Sequence, residues 1–254
     1  MASFRQAIAW WCFVPRLMTP EQLVRAAVDL GCDGLDLVDP AWWPVVRDAG
    51  LTISAVAGHQ SIVAGLNDRE QHARIERELL DAIRQAERWR IPNLICFSGS
   101  RAGLGDAAGA AAMVAGLRRV APAAEAAGIT LVVELLNSRV DHPDYQADRT
   151  DWTAAVVAEV GSPAVGLLYD IYHMQVMEGD LIRTIQRHQQ HIRHYHTAGN
   201  PGRAELDASQ EIAYPAVMRA IAATGFTGFV AHEFVPRGDP LAALRQALLQ
   251  CDVS

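Results

Sequence analysis

The chain has 254 residues and a formal net charge of −7, with 50% hydrophobic and 20% charged residues. That length buries a sizeable core as one large domain or two small ones; no apolar run approaches the roughly 20 residues of a membrane helix, and the acid excess speaks against a phosphate backbone as partner. Four cysteines, Cys12, Cys32, Cys96 and Cys251, are scattered without a C-x-x-C pair, which argues for the reducing cytosol with neither a disulfide frame nor a zinc knuckle.

The opening "MASFRQAIAWWCFVPR" has one early Arg and a brief alternating apolar run but no small-residue cleavage pattern. It therefore reads as a first strand, "RQAIAWW" (5–11), and not as a signal peptide. "TPEQLVRAAVDLG" follows as a helix with Thr19 as N-cap and Pro20 at the first helical position. The strand "DGLDLV" (33–38) leads into a short helix, "AWWPVVRDAG", and the strand "TISAVAG" (52–58) into the long helical pattern "DREQHARIERELLDAIRQAERW". "NLICFSG" (93–99) precedes an Ala-rich helix over 107–127, and "TLVVELL" (130–136) precedes "TDWTAAVVAEVG". "VGLLYD" (165–170) is paired with "GDLIRTIQRHQQ", "IRHYH" (192–196) with "YPAVMRAIAATG", and "GFVAHEF" (228–234) with "DPLAALRQALLQ". Gly31, Gly50, Gly128, Gly161 and Gly225 close helices where a left-handed residue is wanted.

Eight strand and helix pairs in alternation predict an α/β fold, a parallel eight-stranded (β/α)8 TIM barrel. A doubly wound sheet is the rival, but no glycine-rich phosphate fingerprint follows the first strand. No linker or charge run divides the chain, so one domain is expected over 1–254.

In such a barrel the site lies at the carboxyl ends of the strands. Four successive strands finish on a polar residue there: Glu134, Asp170, His196 and Glu233, spaced by 36, 26 and 37 residues, each one strand, helix and return. Taken singly, each has an ordinary alternative: a helix cap or solvated loop residue for the acids, a buried hydrogen-bonded ring for His196 and for His194, which faces the same way. Together the four form a hard oxygen and nitrogen set that suits Mn²⁺ or Mg²⁺, with Co²⁺ also accommodated, and leaves two positions for substrate oxygens. Glu134 and Glu233 would also serve as an acid/base pair on opposite faces of an enediolate.

Around them, His173, three residues beyond Asp170, is placed to reach a substrate oxygen or to lie on the surface. Arg203 would clamp a carboxylate or a sugar hydroxyl, or be a solvated loop Arg. The loop from Ala198 to Ile212 suits a substrate lid or plain surface. His59 and Arg101 follow the third and fourth strands on the same rim without an identifiable partner. Trp10, Trp11, Trp42 and Trp43 would roof the site or pack helix to barrel.

"YDIYHMQVMEGDL", "HYHTAGNPGR" with its acidic loop ending "EIAYPAVM", and "GFVAHEF" closely resemble the hydroxypyruvate isomerase branch of the xylose isomerase-like barrel superfamily, which also includes ketose 3-epimerases and endonuclease IV. The resemblance covers most of the chain and is strongest from Leu131 to Pro236. It implies a divalent metal at Glu134, Asp170, His196 and Glu233, proton exchange between adjacent carbons by the two glutamates, and substrate contacts from His173 and Arg203, with Glu205 near the same loop. Three features depart from that branch. His196 stands where it carries Gln, in a "Q-I-A-D" run that here reads "HTAG"; Gly199 replaces an acid; and the loop "GHQSIVAGLNDREQ" is shorter. His at this place is closer to the epimerases.

The expectation is thus a metal-dependent isomerase of a small α-hydroxy carbonyl compound, led by hydroxypyruvate to tartronate semialdehyde. The alternatives are a ketose 3-epimerase or a 3-oxo sugar acid decarboxylase on the same metal, then an apurinic-site endonuclease or an idle binding protein. The partner expected is a small hydroxy acid or ketose, with neither nucleic acid nor membrane, in the cytoplasm; exposed apolar helix faces would allow a homo-oligomer.

Overall fold

The computed structural model describes residues 4–253. Its strands are β1 (Arg5–Ala9), β2 (Gly34–Asp36), β3 (Thr52–Ile53), β4 (Ala55–Ala57), β5 (Asn93–Cys96), β6 (Thr130–Glu134), β7 (Val165–Asp170), β8 (Ile192–Thr197) and β9 (Phe229–His232). All pairings among them are parallel, in the order β3-β2-β1-β9-β8-β7-β6-β5-β4. The two ends of that order are separated in the chain by Ser54 alone, so the sheet closes on itself as an eight-staved barrel.

The expected single strand "TISAVAG" is therefore divided at its middle, and the division has a physical cause. Ser54 donates its backbone N–H to Leu35 (2.9 Å) and its hydroxyl to Leu35 O and Asp36 Oδ1, while its carbonyl accepts from the Asn93 side chain (3.0 Å). With Ser54's backbone groups satisfied in this way, β3 pairs with β2 and β4 pairs with β5, and the change of partner leaves no orphaned peptide group at this residue.

Nine α-helices pack outside among the described residues: α1 (Pro20–Asp29), α2 (Trp43–Asp48), α3 (His72–Trp89), α4 (Asp106–Ala127), α5 (Thr150–Val160), α6 (Ile171–Met177), α7 (Leu181–His188), α8 (Tyr214–Ala223) and α9 (Pro240–Gln250). Thr19 caps α1 in a reciprocal capping box with Gln22, as its sequence predicts. The inner face of α3 buries His72, Ile75, Leu79, Ile83 and Ala86, the three-and-four spacing of a half-buried helix. All five predicted closing glycines have positive φ. The ninth helix, α6, was not predicted. It starts at Ile171, directly after β7, and stops where Gly179 and Asp180 turn left-handed, with φ of 64° and 44°.

Alternation along the strands sends Tyr169 and Tyr195 outward, where their rings meet at 6.1 Å and Tyr195 packs edge-on against Phe226 at 4.9 Å. Asp170, His194 and His196 consequently point into the barrel. The four cysteines are buried and free, and no helix of the described residues is long and apolar enough to cross a membrane.

Candidate active site

Glu134 and Asp170 are the last residues of β6 and β7, His196 is next to last in β8, and Glu233 is one step past β9. Asp170 and His196 are direct partners across β7 and β8. The tilt of parallel staves brings the other two level with them. His196 Nδ1 lies 3.2 Å from Glu134 Oε1, 3.1 Å from Glu233 Oε2 and 3.9 Å from Asp170 Oδ2. All four side chains are buried.

Asp170 divides its oxygens between two tasks. Oδ1 accepts the backbone N–H of His173 at 2.8 Å and so caps α6, while Oδ2 faces His196. The cap and the candidate ligand, alternatives in the sequence, are one residue.

Two further groups hold Glu233. Trp11 Nε1 donates to Oε1 at 2.8 Å and Arg203 Nη2 to Oε2 at 2.5 Å. The Arg203 guanidinium also lies over the Trp11 ring at 5.2 Å, a cation–π contact that braces it. Arg203 Nε is buried without a partner. His173 is fully buried, and its Nδ1 accepts from the Asn137 backbone N–H at 3.1 Å and meets the Asn137 side-chain amide at 2.6 Å. The proton of the neutral ring therefore sits on Nε2, which has no partner and lies 3.9 Å from Asp170 Oδ2. Two buried, unsatisfied donors thus border the carboxylates.

Burial and mutual repulsion shape the charges. Burial, reinforced by Glu233, pushes Asp170 up to about 7 and likewise raises Glu134. Glu233 is equally buried, yet His196 and Arg203 hold it well below the usual carboxylate range. For His196, burial disfavours the cation, but Glu233, Asp36 and Glu134 outweigh it and raise its affinity for a proton. Burial, then Arg203, keeps His173 neutral.

The donor set fits a divalent cation. One ligand-capable atom from each of Glu134, Asp170, His196 and Glu233 lies within 4.8 Å of every other. Opposite ligands of an octahedral ion are separated by twice a bond length, roughly 4–5 Å, and three carboxylates with one imidazole suit Mn²⁺ or Mg²⁺.

Other predicted residues fall elsewhere. His59 is buried beside Phe97, whose backbone N–H it accepts at 2.9 Å; its charged neighbours are Glu78 and Arg74 of the α3 flank. Glu205 binds Arg237 and the backbone of Gly238, tying the β8 loop to the β9 loop. Arg101 pairs with Asp106 and Asp148 on the outer rim. A bridge between Gly199 and Ala204 pins the 198–212 loop. A side chain at 199 would collide with the Glu205 carbonyl, so the closed loop requires the glycine found there. Of the four tryptophans at the rim, Trp11 reaches a candidate ligand, Trp10 packs on Trp42 and Trp43 on Trp89.

Sequence reasoning missed two residues. Asn137 sets the His173 tautomer, and Asp36, at the end of β2, is fully buried and accepts from both His194 Nε2 and His196 Nε2 at 2.8 Å. The signal for Asp36 was present: an acid inside the apolar run "DGLDLV".

The chain resembles known proteins over nearly its whole length. A putative hydroxypyruvate isomerase of Homo sapiens is 28% identical over 243 residues, 93% of this chain and 81% of that one. Hydroxypyruvate isomerase of Escherichia coli strain K12 is 32% identical over 165 residues, 65% of this chain and 63% of its own. Among solved structures, a family 2 AP endonuclease from Brucella melitensis superposes with a TM-score of 0.84 at 25% identity, covering 95% of this chain and 97% of that one. A profile of the xylose isomerase-like TIM barrel matches residues 24–251. The barrel, the buried side chains gathered at its strand ends and that match agree: the chain belongs to the xylose isomerase-like TIM barrel family.

Proposed function

We propose that this protein is a metal-dependent isomerase that moves a proton between adjacent carbons of a small α-hydroxy carbonyl compound, with hydroxypyruvate to tartronate semialdehyde as the leading reaction. The observation that carries this reading is the convergence of two buried glutamates, from β6 and from beyond β9, on the same nitrogen of His196. The names of the human and Escherichia coli relatives support the substrate.

A divalent cation held by Glu134, Asp170, His196 and Glu233 would polarise the carbonyl and its neighbouring hydroxyl and so acidify the C–H beside them. One glutamate takes a proton from C3 of hydroxypyruvate, leaving an enediolate across C2 and C3. The other delivers a proton to C2, and the O3 hydroxyl proton ends on O2. The His173 Nε2–H donates to a substrate oxygen, and Arg203 holds the carboxylate while its Nη2 keeps Glu233 in place. A Schiff-base route has no nucleophile, because the chain contains no lysine. A net charge of −7 speaks against the phosphate track that an endonuclease would need.

One observation favours a second reading, a ketose 3-epimerase. His196 stands near the end of β8 where the hydroxypyruvate isomerase branch carries Gln, and a histidine at this place is closer to the epimerases.

Glu134→Gln and Glu233→Gln, which keep an oxygen for coordination, test the acid/base roles. A positioned acid or base contributes roughly 10²- to 10⁴-fold, so turnover should fall by that much in each variant, with bound metal measured alongside. Wild-type turnover in either variant would remove it from the mechanism.

A further inference from the structure

We infer that Asp36 is the positioning residue of the metal centre: it locks the His196 ring so that Nδ1, and not Nε2, is the ligand atom. The inference rests on the metal reading above and assigns a role to a residue outside the ligand set.

The geometry leaves little freedom. Asp36 Oδ2 lies 2.8 Å from His196 Nε2 and 2.8 Å from His194 Nε2, and Oδ1 accepts the Ser54 hydroxyl at 2.9 Å. A carboxylate only accepts hydrogen bonds, so both Nε2 atoms carry their protons. In the neutral His196 ring the lone pair is then on Nδ1, the atom 3.1 to 3.9 Å from the three other candidate ligands. Asp36, His194 and His196 are completely buried, so no water competes for either ring. A carboxylate on the far nitrogen also makes the coordinating nitrogen a stronger donor.

His194 explains why Asp36 can be held so firmly. Its ring is edge-on to that of His196, with centroids 5.2 Å apart, and it donates to the same oxygen. Asp36 is thus fixed by Ser54 on one oxygen and by a second imidazole on the other, and its position does not depend on the ring it orients. Its site on β2 places it across the barrel from β8, in reach of both histidines because they share one strand face.

The test is Mn²⁺ affinity, read by electron paramagnetic resonance titration of wild type, Asp36→Asn and Asp36→Ala, with thermal melting of each. Losing an outer partner of a metal-bound histidine weakens binding about 10- to 100-fold. Asp36→Asn keeps shape and an acceptor oxygen but loses the charge, and should fall near the low end; Asp36→Ala loses both and should fall near the high end. Folded Asp36→Asn that binds Mn²⁺ as tightly as wild type, whatever its melting temperature, would overturn the role, since a purely structural aspartate would shift melting alone. Wild type that fails to bind Mn²⁺ would overturn this inference together with the metal reading beneath it.

Discussion

Asp170 and His173 show how one short segment builds half of the site. The cap on α6 orders the backbone at His173, and that order aims the ring; Asn137 then decides which nitrogen carries the proton. Away from the site, His232 is buried and neutral, donating from Nε2 to Gln6 and accepting from Thr197 on Nδ1, and burial lowers it to about 4. Its unfolded value is near 6.5, so the unfolded chain binds more protons between pH 6.5 and 4, and stability contributed by the neutral ring is lost as pH falls through that window. From pH 7 to pH 5 the loss is about 2 kcal/mol. His232→Gln should show that much less acid destabilisation than its parent in urea titrations at the two pH values; identical pH dependence would refute the assignment. At this scale, the meeting of Glu134, Asp170, His196 and Glu233 at the strand ends was legible because their chain spacing matches the barrel repeat. Asp36 left only a partial trace, an acid inside an apolar run; its task stayed hidden because the two imidazoles it serves lie 158 and 160 residues away.

Five helices close on the predicted left-handed glycines, and α3 closes left-handed without one, which makes a prediction. Helix α3 ends at Arg90 in the left-handed conformation, φ 57°, where the other helices closed that way carry glycine. A left-handed non-glycine residue costs roughly 1–2 kcal/mol, partly offset by the greater freedom glycine has when unfolded. Arg90→Gly should therefore raise stability by about 1 kcal/mol in chemical denaturation without changing turnover; destabilisation would show that the Arg90 side chain contributes more than its backbone strain removes. The other departures at the element scale were invisible in sequence for definite reasons. Helix α6 spans only seven residues and begins directly after the strand, with the strand's last residue Asp170 as its cap, so periodicity had no window in which to register it. The break at Ser54 depends on hydrogen bonds from Asn93 and to Leu35, which are tertiary.

Across the whole molecule, strands from opposite ends of the chain are bound into one ring, β1 with β9 as well as with β2, and the ends of β6 and β7 and the residue after β9 carry the acids that the ring must keep close together. Buried like charges work against the fold, and a divalent cation that binds only the folded barrel would stabilise it by about 2.7 kcal/mol at a hundred times its dissociation constant. Chelation should accordingly lower the melting temperature and abolish turnover, and Mn²⁺ should restore both; a chelated protein with unchanged melting and full activity would contradict a metal at this set. The barrel as a whole was legible because eight strand and helix units leave a periodic trace, whereas His59 and Glu205, placed on the rim by loop position and by resemblance, turn toward α3 and toward Arg237. Position in the chain locates a rim residue, but its neighbours decide where it points. The most direct test of the central claim is proton exchange: hydroxypyruvate is incubated in deuterated water with Mg²⁺-loaded protein and followed by nuclear magnetic resonance. The account predicts deuterium at C3 of recovered substrate and at C2 of newly formed tartronate semialdehyde, with labelled product lost in both Glu134→Gln and Glu233→Gln and exchange at C3 lost in the variant that lacks the C3 base. Product formed without solvent deuterium, or exchange that persists in both variants, would contradict it.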